Sequence, residues 1–270
     1  MSAYYNEIDP SAAAWLRQLI ADGHIADGIV DERSIEDVSP DELVGFTQCH
    51  FFAGIGGWSY ALRLAGWPDD KPVWTGSCPC QPYSSAGAGK GDNDPRALWW
   101  AFRWHIQQRQ PAVVFGEQVA SLAGREWFAG VRADLEAMGY DVGGADLCAA
   151  GVGAPHIRQR LYWVGHSQRP GLEGLHRDGD LCHQPGREHK EAGGSTPASG
   201  GTNFKSQGAW ESTLVADCGE GKRRRISTEP AFFPLANGIP ARVVRIRGYG
   251  NAIVPEVAAE FIQAYGDCHA

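Results

Sequence analysis

The chain has no apolar run of the roughly 18 residues that a transmembrane helix requires, although 43% of its 270 residues are hydrophobic. Residues 1–7 also lack the basic stretch and the apolar core of a secretory signal peptide. These two absences predict a cytoplasmic protein. The length is that of one or two domains, counted at roughly 150 residues each.

Paired cysteines are absent as well. The seven cysteines are an odd number and none forms a Cys-x-x-Cys pair, so we expect a reducing compartment and no disulfide framework. A zinc site would have to use scattered ligands whose spacing matches no known pattern, and we expect no metal. The residues concerned are His176, Cys182, His183, His189 and Cys218.

Positive charge is scarce in the first part of the chain. The formal net charge is −8, and residues 1–150 carry 10 basic and 20 acidic side chains, whereas residues 151–250 carry 14 basic and 9 acidic ones. This asymmetry predicts that a nucleic acid would meet the later part. A solvated basic turn is the alternative interpretation. The residues predicted to contact phosphates and bases there are Lys222, Arg223, Arg224, Arg225, Arg242 and Arg245.

Apolar runs typical of strands alternate with helical patterns through the first 166 residues. Residues 112–115 are apolar at every position, as in a parallel strand that is covered on both faces. The alternation predicts an α/β protein with a doubly wound sheet and helices on both faces. Residues 167–245 are predicted to be a separate small, irregular region, whose part up to about residue 206 is Gly-, His-, Pro- and Ser-rich and is either a long loop or a small irregular domain. Residues 246–270 are predicted to return to the first domain and to end in a helix.

The first motif with chemical content is the glycine-rich turn FFAGIGG at residues 51–57, between a predicted strand and a predicted helix. Glycines allow a sharp turn and close approach of a ligand, and the N-terminus of the following helix offers free N–H groups. Ser59 stands where the dinucleotide fingerprint would have its third glycine. Taken alone, the motif is equally typical of a plain turn.

The second and third motifs place a nucleophile and an acid after predicted strands. Cys80 lies in PCQP at residues 79–82, where prolines stiffen the loop and present one thiol, whose thiolate is a strong nucleophile. Glu117 follows the apolar strand, over the crevice where doubly wound sheets bind ligands. A buried free cysteine and a solvated loop acid are the alternative interpretations.

The fourth and fifth motifs are a pair of arginines and a helix start. Arg158 and Arg160 are two residues apart, so in an extended chain they share one face and can hold an anion or a base edge. Residues 250–255, GNAIVP, open the last helix. Surface charge and a capped helix start are the alternatives.

Together and in this order, the five motifs resemble those of the DNA (cytosine-5) methyltransferases. They span nearly all of the chain and leave only residues 167–235 unmatched. The resemblance implies the fold of the S-adenosylmethionine-dependent methyltransferases, S-adenosylmethionine as the cofactor and double-stranded DNA as the substrate. It assigns the cofactor to Phe52, Ala53, Gly54, Ile55, Gly56, Gly57 and Asn251, and further DNA contacts to Gln81 and Ser84.

The resemblance also implies a role for each reactive side chain. The Cys80 thiolate adds to C6 of a cytosine that has been flipped out of the duplex. Glu117 donates a proton to N3, for which its pKa must be raised by burial, and Arg160 holds O2. Arg158 supports the loop. C5 then takes the methyl group, a base removes the C5 proton and Cys80 is eliminated.

The order of the elements departs from that family. Only 22 residues separate Gly57 from Cys80, which leaves no room for the ribose and adenine motifs that normally lie between them. Glu7 and Ile8 resemble the ribose motif, and Ser34 and Ile35 resemble the adenine position. Residues 4–45 would then precede the methionine loop, which makes the chain a circularly permuted, phage-like member. An unrelated acidic N-terminal arm is the alternative.

Four single residues also differ from the family pattern. His50 and Ser34 stand where the family has aspartates that serve the cofactor site, Gln118 replaces the asparagine after the acid, and His156 replaces a glutamine ahead of the arginines. Gln118 leaves open an unusual transferred group or a repacked pocket.

The resemblance leaves alternatives for the whole protein. An RNA cytosine-5 methyltransferase and a non-catalytic DNA-binding relative are the other candidates, although Gln81 and Pro82 favour DNA. We expect a monomer, with an obligate two-chain enzyme as the alternative. A restriction partner, an orphan methylase and phage self-protection remain open as biological roles. The predicted domains are 1–166 for catalysis, 167–245 for target recognition and 246–270 as the returning segment.

Overall fold

The computed structural model describes residues 2–79, 98–168 and 252–269, together with the backbone of two strands at 213–217 and 223–227. Seven strands form the main sheet. They are β1 (Ala3–Asn6), β2 (Gly28–Asp31), β3 (Gln48–Phe51), β4 (Val73–Gly76), β5 (Val113–Val119), β6 (Tyr140–Cys148) and β7 (Gln159–Ser167). A separate antiparallel pair consists of β8 (Thr213–Asp217) and β9 (Arg223–Ser227).

The main sheet has the spatial order β2-β1-β3-β4-β5-β7-β6. The five strands from β2 to β5 pair in parallel, and β7 runs antiparallel to both β5 and β6. β6 and β7 are neighbours in this antiparallel part of the sheet, with Tyr140 opposite Ser167. This mixed sheet is typical of S-adenosylmethionine-dependent methyltransferases, and the predicted α/β class is confirmed.

Helices cover both faces of the sheet, as predicted. They are α1 (Pro10–Ala21), α2 (Gly57–Leu64), α3 (Trp99–Arg109), α4 (Leu122–Ala137) and α5 (Pro255–Cys268). Short 3₁₀ turns at Ile35–Asp37, Pro40–Leu43 and Ala149–Val152 complete the described elements. No helix in the described ranges is long and apolar enough to cross a membrane.

The alternation of side chains along the strands decides which helices share a face. Tyr5, His50, Thr75 and Phe115 form one row across the sheet, and their face packs against α1, α2 and α5. The residues one position earlier form the opposite row. That face packs against α3, α4 and the first two 3₁₀ turns.

Two crossovers on the same face differ in direction. The chain passes from β1 through α1 to the adjacent strand β2, which is a step towards the β2 edge of the sheet. It passes from β3 through α2 to the adjacent strand β4, which is a step towards the β6 edge. Because both helices lie on one face, these crossovers have opposite hands. The β4-α3-β5 crossover moves in the direction of the second but on the other face, so it shares the hand of β1-α1-β2. Since about 98% of such crossovers are right-handed, β3-α2-β4 is the exception.

Capping side chains fix where helices begin. Asp9 caps α1 by accepting hydrogen bonds from two backbone N–H groups of its first turn at 2.7 and 3.1 Å, and Pro10 stands at the first helical position. The sequence predicts the start of α4 at residue 128, but the helix begins at Leu122. Ser121 causes this earlier start because its hydroxyl accepts a backbone hydrogen bond three residues on, at 3.0 Å.

Candidate active site at the carboxyl edge of the sheet

The predicted cofactor loop follows β3 and turns sharply into α2. Gly54 and Gly56 have φ values of +56° and +83°, which residues with side chains rarely adopt. A Cβ on Gly57 would lie 2.8 Å from Ile253 Cγ1, so α2 approaches the start of α5 closely here. A Cβ on Gly54 would meet nothing within 4 Å. At Gly54 the loop therefore presents backbone to open space.

Glu7 extends from the end of β1 to this loop. Its carboxylate accepts the Gly54 N–H at 2.7 Å and the Asp9 N–H at 2.9 Å. Burial raises the pKa of Glu7, and the two backbone hydrogen bonds act against that rise. The next residue, Ile8, is 64% exposed. The structure thus brings the predicted ribose carboxylate and the glycine loop together, beside an apolar side chain that faces solvent.

The end of β2 differs from the expectation. The sequence predicts a strand to residue 35, but β2 ends at Asp31 because its carboxylate accepts the Arg33 N–H at 2.9 Å and turns the chain. The Arg33 guanidinium also bridges Asp31 and Glu42, at 2.7 Å each. The two residues predicted to bind adenine have different surroundings. Ser34 caps a 3₁₀ turn, whereas the Ile35 side chain is buried in the core. The Asp31 side chain therefore ends the strand earlier than the sequence predicts.

Glu117 lies near the carboxyl end of β5 and is only 7% exposed. Arg160 on β7 places its Nε 2.7 Å from Glu117 Oε1. Burial raises the pKa of Glu117, while the guanidinium groups of Arg160 and Arg158 act to lower it. The structure therefore brings three of the four predicted catalytic residues together. A carboxyl group under such opposing influences is suited to exchange a proton with a ligand.

Arg158 connects this site to the last helix. Its Nη2 donates to the backbone carbonyl of Ala252 at 2.7 Å, just ahead of the start of α5. Burial, and secondly the charge of Arg158, lower the pKa of the neighbouring His156. Arg158 therefore contributes positive charge near Glu117 and ties β7 to the C-terminal segment.

Ser77 follows β4 and touches two parts of the site. Its Oγ accepts the Trp58 Nε1–H at 2.9 Å, and its hydroxyl is hydrogen-bonded to Glu117. Trp58 is the second residue of α2 and is buried. Sequence reasoning missed both residues, because a serine after a strand and a tryptophan on a short helix carry no functional signal of their own.

Gln118 points to the opposite face of the sheet from Glu117, since successive residues of a strand alternate. Its Oε1 accepts the Val119 N–H at 3.0 Å. Its Nε2 is buried and has no hydrogen-bond partner among the residues that the structure describes. The side chain therefore lies next to the acid in sequence but does not share its contacts.

Several predicted residues lie outside the described ranges. These are Cys80, Gln81, Ser84, Lys222, Arg242, Arg245 and Asn251, and also the five candidate zinc ligands. For Arg223, Arg224 and Arg225 the structure gives only the backbone, in β9. Within the described part of the chain, no group of three His, Cys, Asp or Glu residues is arranged to hold a metal ion.

Residues 67–192 match the family model of the C-5 cytosine-specific DNA methylases. This range contains the Cys80 motif, Glu117 and both arginines. The match begins ten residues after the glycine loop ends at Gly57. The middle of the chain is therefore similar to cytosine-5 DNA methyltransferases, in agreement with the motifs.

Curated relatives are similar over a little more than a third of the chain. The type II methyltransferase M.AluI of Cellulosimicrobium cellulans is 34% identical over 113 residues, which cover 37% of this chain and 22% of that protein. M.SsoII of Shigella sonnei is 31% identical over 103 residues, which cover 37% of this chain and 27% of that protein. The matched stretch is thus less than a third of either relative.

Solved structures show a likeness over more of the chain at lower identity. A DNMT2 mutant of Spodoptera frugiperda is 17% identical, with a TM-score of 0.41, over 64% of this chain and 43% of that one. A putative DNA modification methyltransferase encoded within an E. coli prophage is 15% identical, with a TM-score of 0.38, over 62% and 47% of the two chains.

Proposed function

We propose that this chain transfers a methyl group from S-adenosylmethionine to C5 of cytosine in double-stranded DNA, with Cys80 as the nucleophile. The observation that carries the proposal is the environment of Glu117, a buried carboxyl group paired with Arg160 at 2.7 Å where β4 and β5 end. In the sequence, Cys80 follows the end of β4 by four residues. A nucleophile, an acid and a cation then serve one base.

The chemistry requires these three groups because C5 of cytosine is a weak nucleophile. When the Cys80 thiolate bonds to C6, the ring electrons move towards N3, and Glu117 supplies the proton that N3 takes up. Arg160 offsets the negative charge that develops at O2. C5 then carries the electron pair that accepts the methyl group. Loss of the C5 proton to a base, cleavage of the S–C6 bond and return of the N3 proton to Glu117 restore the aromatic ring, the thiolate and the acid.

The residues at the ends of β1 and β3 fit S-adenosylmethionine. The Glu7 carboxylate offers acceptors for ribose hydroxyls beside the open space at Gly54, and the exposed Ile8 offers an apolar surface for a planar ring. The N–H groups at the start of α2 suit a carboxylate. When bound, the cofactor supplies an electrophilic methyl group. Phe52, Ala53, Ile55, Gly56, Gly57 and, in the adenine region, Ser34 and Ile35 complete the proposed site.

A rearrangement that moved β1, α1 and β2 from the middle of the chain to its front explains both the order of the strands and the exceptional crossover. If β1, α1 and β2 originally followed the helix after β3, that helix led from β3 towards β1 with the common hand. Moving the three elements to the front of the chain leaves α2 on its original face but connects it to β4, which reverses the hand. The start of the family match at residue 67 fits the same history, because a linear model cannot align elements that come in another order.

We assign target recognition to residues 167–245. Lys222, Arg223, Arg224, Arg225, Arg242 and Arg245 supply positive charge for the phosphates and bases of duplex DNA, with Gln81 and Ser84 nearer to the flipped base. Residues 1–166 with 246–270 form the catalytic domain of a monomeric, phage-like modification enzyme in this proposal.

Nucleoside mass spectrometry of plasmid DNA from cells that express the protein tests the proposed function. We expect 5-methylcytosine with the unaltered chain, and none with Cys80→Ala or Glu117→Gln. Glu126→Gln, which changes an exposed acid on α4, serves as the matched control and should retain the modification. Unmodified DNA from the folded, unaltered protein would contradict the proposal. The same measurement on cellular RNA identifies the alternative substrate.

A further inference from the structure

A chain of hydrogen bonds joins the cofactor loop to the acid. Trp58 directly follows the last glycine of the loop, and its indole Nε1–H donates to Ser77 Oγ at 2.9 Å. Ser77 is in turn hydrogen-bonded to the Glu117 carboxyl group. Two hydrogen bonds therefore connect the start of α2, the end of β4 and the end of β5.

The direction of these bonds follows from the chemistry of the groups. An indole N–H only donates, so Ser77 Oγ accepts the first bond with a lone pair. The single hydroxyl hydrogen of Ser77 remains, and an ionised carboxylate only accepts. The bonds therefore run from Trp58 through Ser77 to Glu117, and they favour the ionised form of the acid.

Packing holds the first member of this chain in place. The Trp58 ring stacks on Phe115, with 6.1 Å between centroids and 21° between planes, and meets Tyr162 edge-on at 6.0 Å. Phe115 lies two residues before Glu117 on the same face of β5. The indole is therefore fixed relative to the strand that carries the acid.

We propose that Ser77 is a positioning residue, which couples the cofactor loop to Glu117 by holding the carboxyl group through a hydroxyl that Trp58 orients. The proposal rests on the proposed function in one respect, namely that Glu117 is the group that serves the base. A displacement of the loop by a bound ligand would reach the acid through these two bonds.

The charged and titratable groups that face Glu117 among the described residues are Arg158, Arg160 and Tyr162, all from β7 or the residues just before it. None of them is changed when the Ser77 hydroxyl is removed. Ser77→Ala should therefore raise the pKa of Glu117, because one hydrogen bond to the ionised form is lost while burial and both arginines remain.

Nitrogen NMR of the indole N–H groups tests the coupling in the full chain without cofactor or DNA. The ten tryptophans give ten signals, and Trp58→Phe identifies one of them. We expect this signal to shift with pH as Glu117 titrates, and to lose that titration in Glu117→Gln and in Ser77→Ala. Trp99, whose indole donates to Asp134 at 2.8 Å, is the internal control.

The outcomes separate the coupling from a structural role. A Trp58 signal that is unaffected by Glu117→Gln and Ser77→Ala overturns the proposal. Ser77→Thr keeps the hydroxyl and should retain the titration. If Ser77→Ala does not fold, the Glu117→Gln and Ser77→Thr spectra still decide the question.

The pH dependence of methylation provides a second test. We expect Ser77→Ala to lower kcat by roughly tenfold or more and to leave KM for DNA nearly unchanged. The limb of the pH–rate profile that reports Glu117 should move to higher pH. Ser77→Thr should restore kcat and the position of this limb. A fall in kcat that is equal at every pH overturns the proposal. If the unaltered protein does not methylate DNA, the proposed function is wrong. The NMR experiment still decides whether Ser77 couples Trp58 to Glu117, because it needs neither cofactor nor DNA.

Discussion

The buried histidine that opens the glycine loop should make the protein sensitive to mild acid. His50 is 1% exposed in the middle of the sheet. Gln48 donates its amide to the Pro68 carbonyl at 3.2 Å, so Gln48 Oε1 accepts the His50 Nε2–H at 3.3 Å, and Nδ1 accepts the Thr75 hydroxyl at 2.8 Å. These partners suit a neutral imidazole. Burial lowers the pKa of His50 from 6.5 to about 3.

The sign of the effect follows from proton linkage. Below pH 6.5 the unfolded chain binds a proton at residue 50 and the native protein does not, so the free energy of unfolding falls with decreasing pH until about pH 3. Between pH 7 and pH 4.5 this one group should remove about 2 to 3 kcal/mol. Glu7 and Glu117, whose pKa values are raised by burial, act in the opposite direction over the acid range.

Urea unfolding at pH 7 and pH 4.5 measures the effect as a difference between variants. His50→Gln should be less stable than the unaltered chain at pH 7 and should lose about 2 to 3 kcal/mol less on acidification. His24→Gln, which alters an exposed histidine, should follow the unaltered chain. Parallel losses in the unaltered chain and in His50→Gln would refute the reasoning, because they would mean that the native protein protonates His50 as easily as the unfolded chain does.

Three further changes test other contacts. Arg160→Met removes the ion-pair partner of Glu117, so the pKa of Glu117 should rise and the amount of 5-methylcytosine should fall. Carboxyl infrared bands measure the pKa and nucleoside mass spectrometry measures the product. An unchanged pKa and an unchanged amount of product would contradict the pairing. Gly57→Ala brings a methyl group to 2.8 Å from Ile253 and should cost about 1 to 3 kcal/mol in thermal unfolding, whereas an unchanged Tm would show that α5 yields freely. Asp9→Ala removes the α1 cap and should cost about 1 kcal/mol, and Asp9→Asn should lose less.

The local patterns of the sequence predict most of the sheet and part of the site. The apolar run before Glu117 predicts a strand covered on both faces, and the spacing of Arg158 and Arg160 predicts that they share a face. Both follow from the two-residue period of an extended chain, which depends on neighbours in sequence only. The helix start at Asp9 and Pro10 also depends only on neighbours in sequence, because an acidic cap followed by proline is a local signal.

Other parts of the site could not be predicted in this way. Ser77 and Trp58 are 19 residues apart, and their hydrogen bond exists because α2 packs beside the end of β4. The end of β2 at Asp31 could not be predicted either, since the side-chain bond from Asp31 to the Arg33 N–H ends the strand there. The early start of α4 likewise depends on one capping hydroxyl.

The sequence by itself determined most of the strands and helices of the main sheet, which glycines turn the chain and which acid and arginines are available for chemistry. Those properties are set by steric limits and by side-chain periodicity over a few residues. Only the tertiary structure decided that Glu117 is buried against Arg160, that Glu7 reaches the loop at Gly54 and that α2 crosses with the uncommon hand. The reason is physical: burial, and therefore the pKa of an acid, depends on strands that are distant in sequence and adjacent in the sheet.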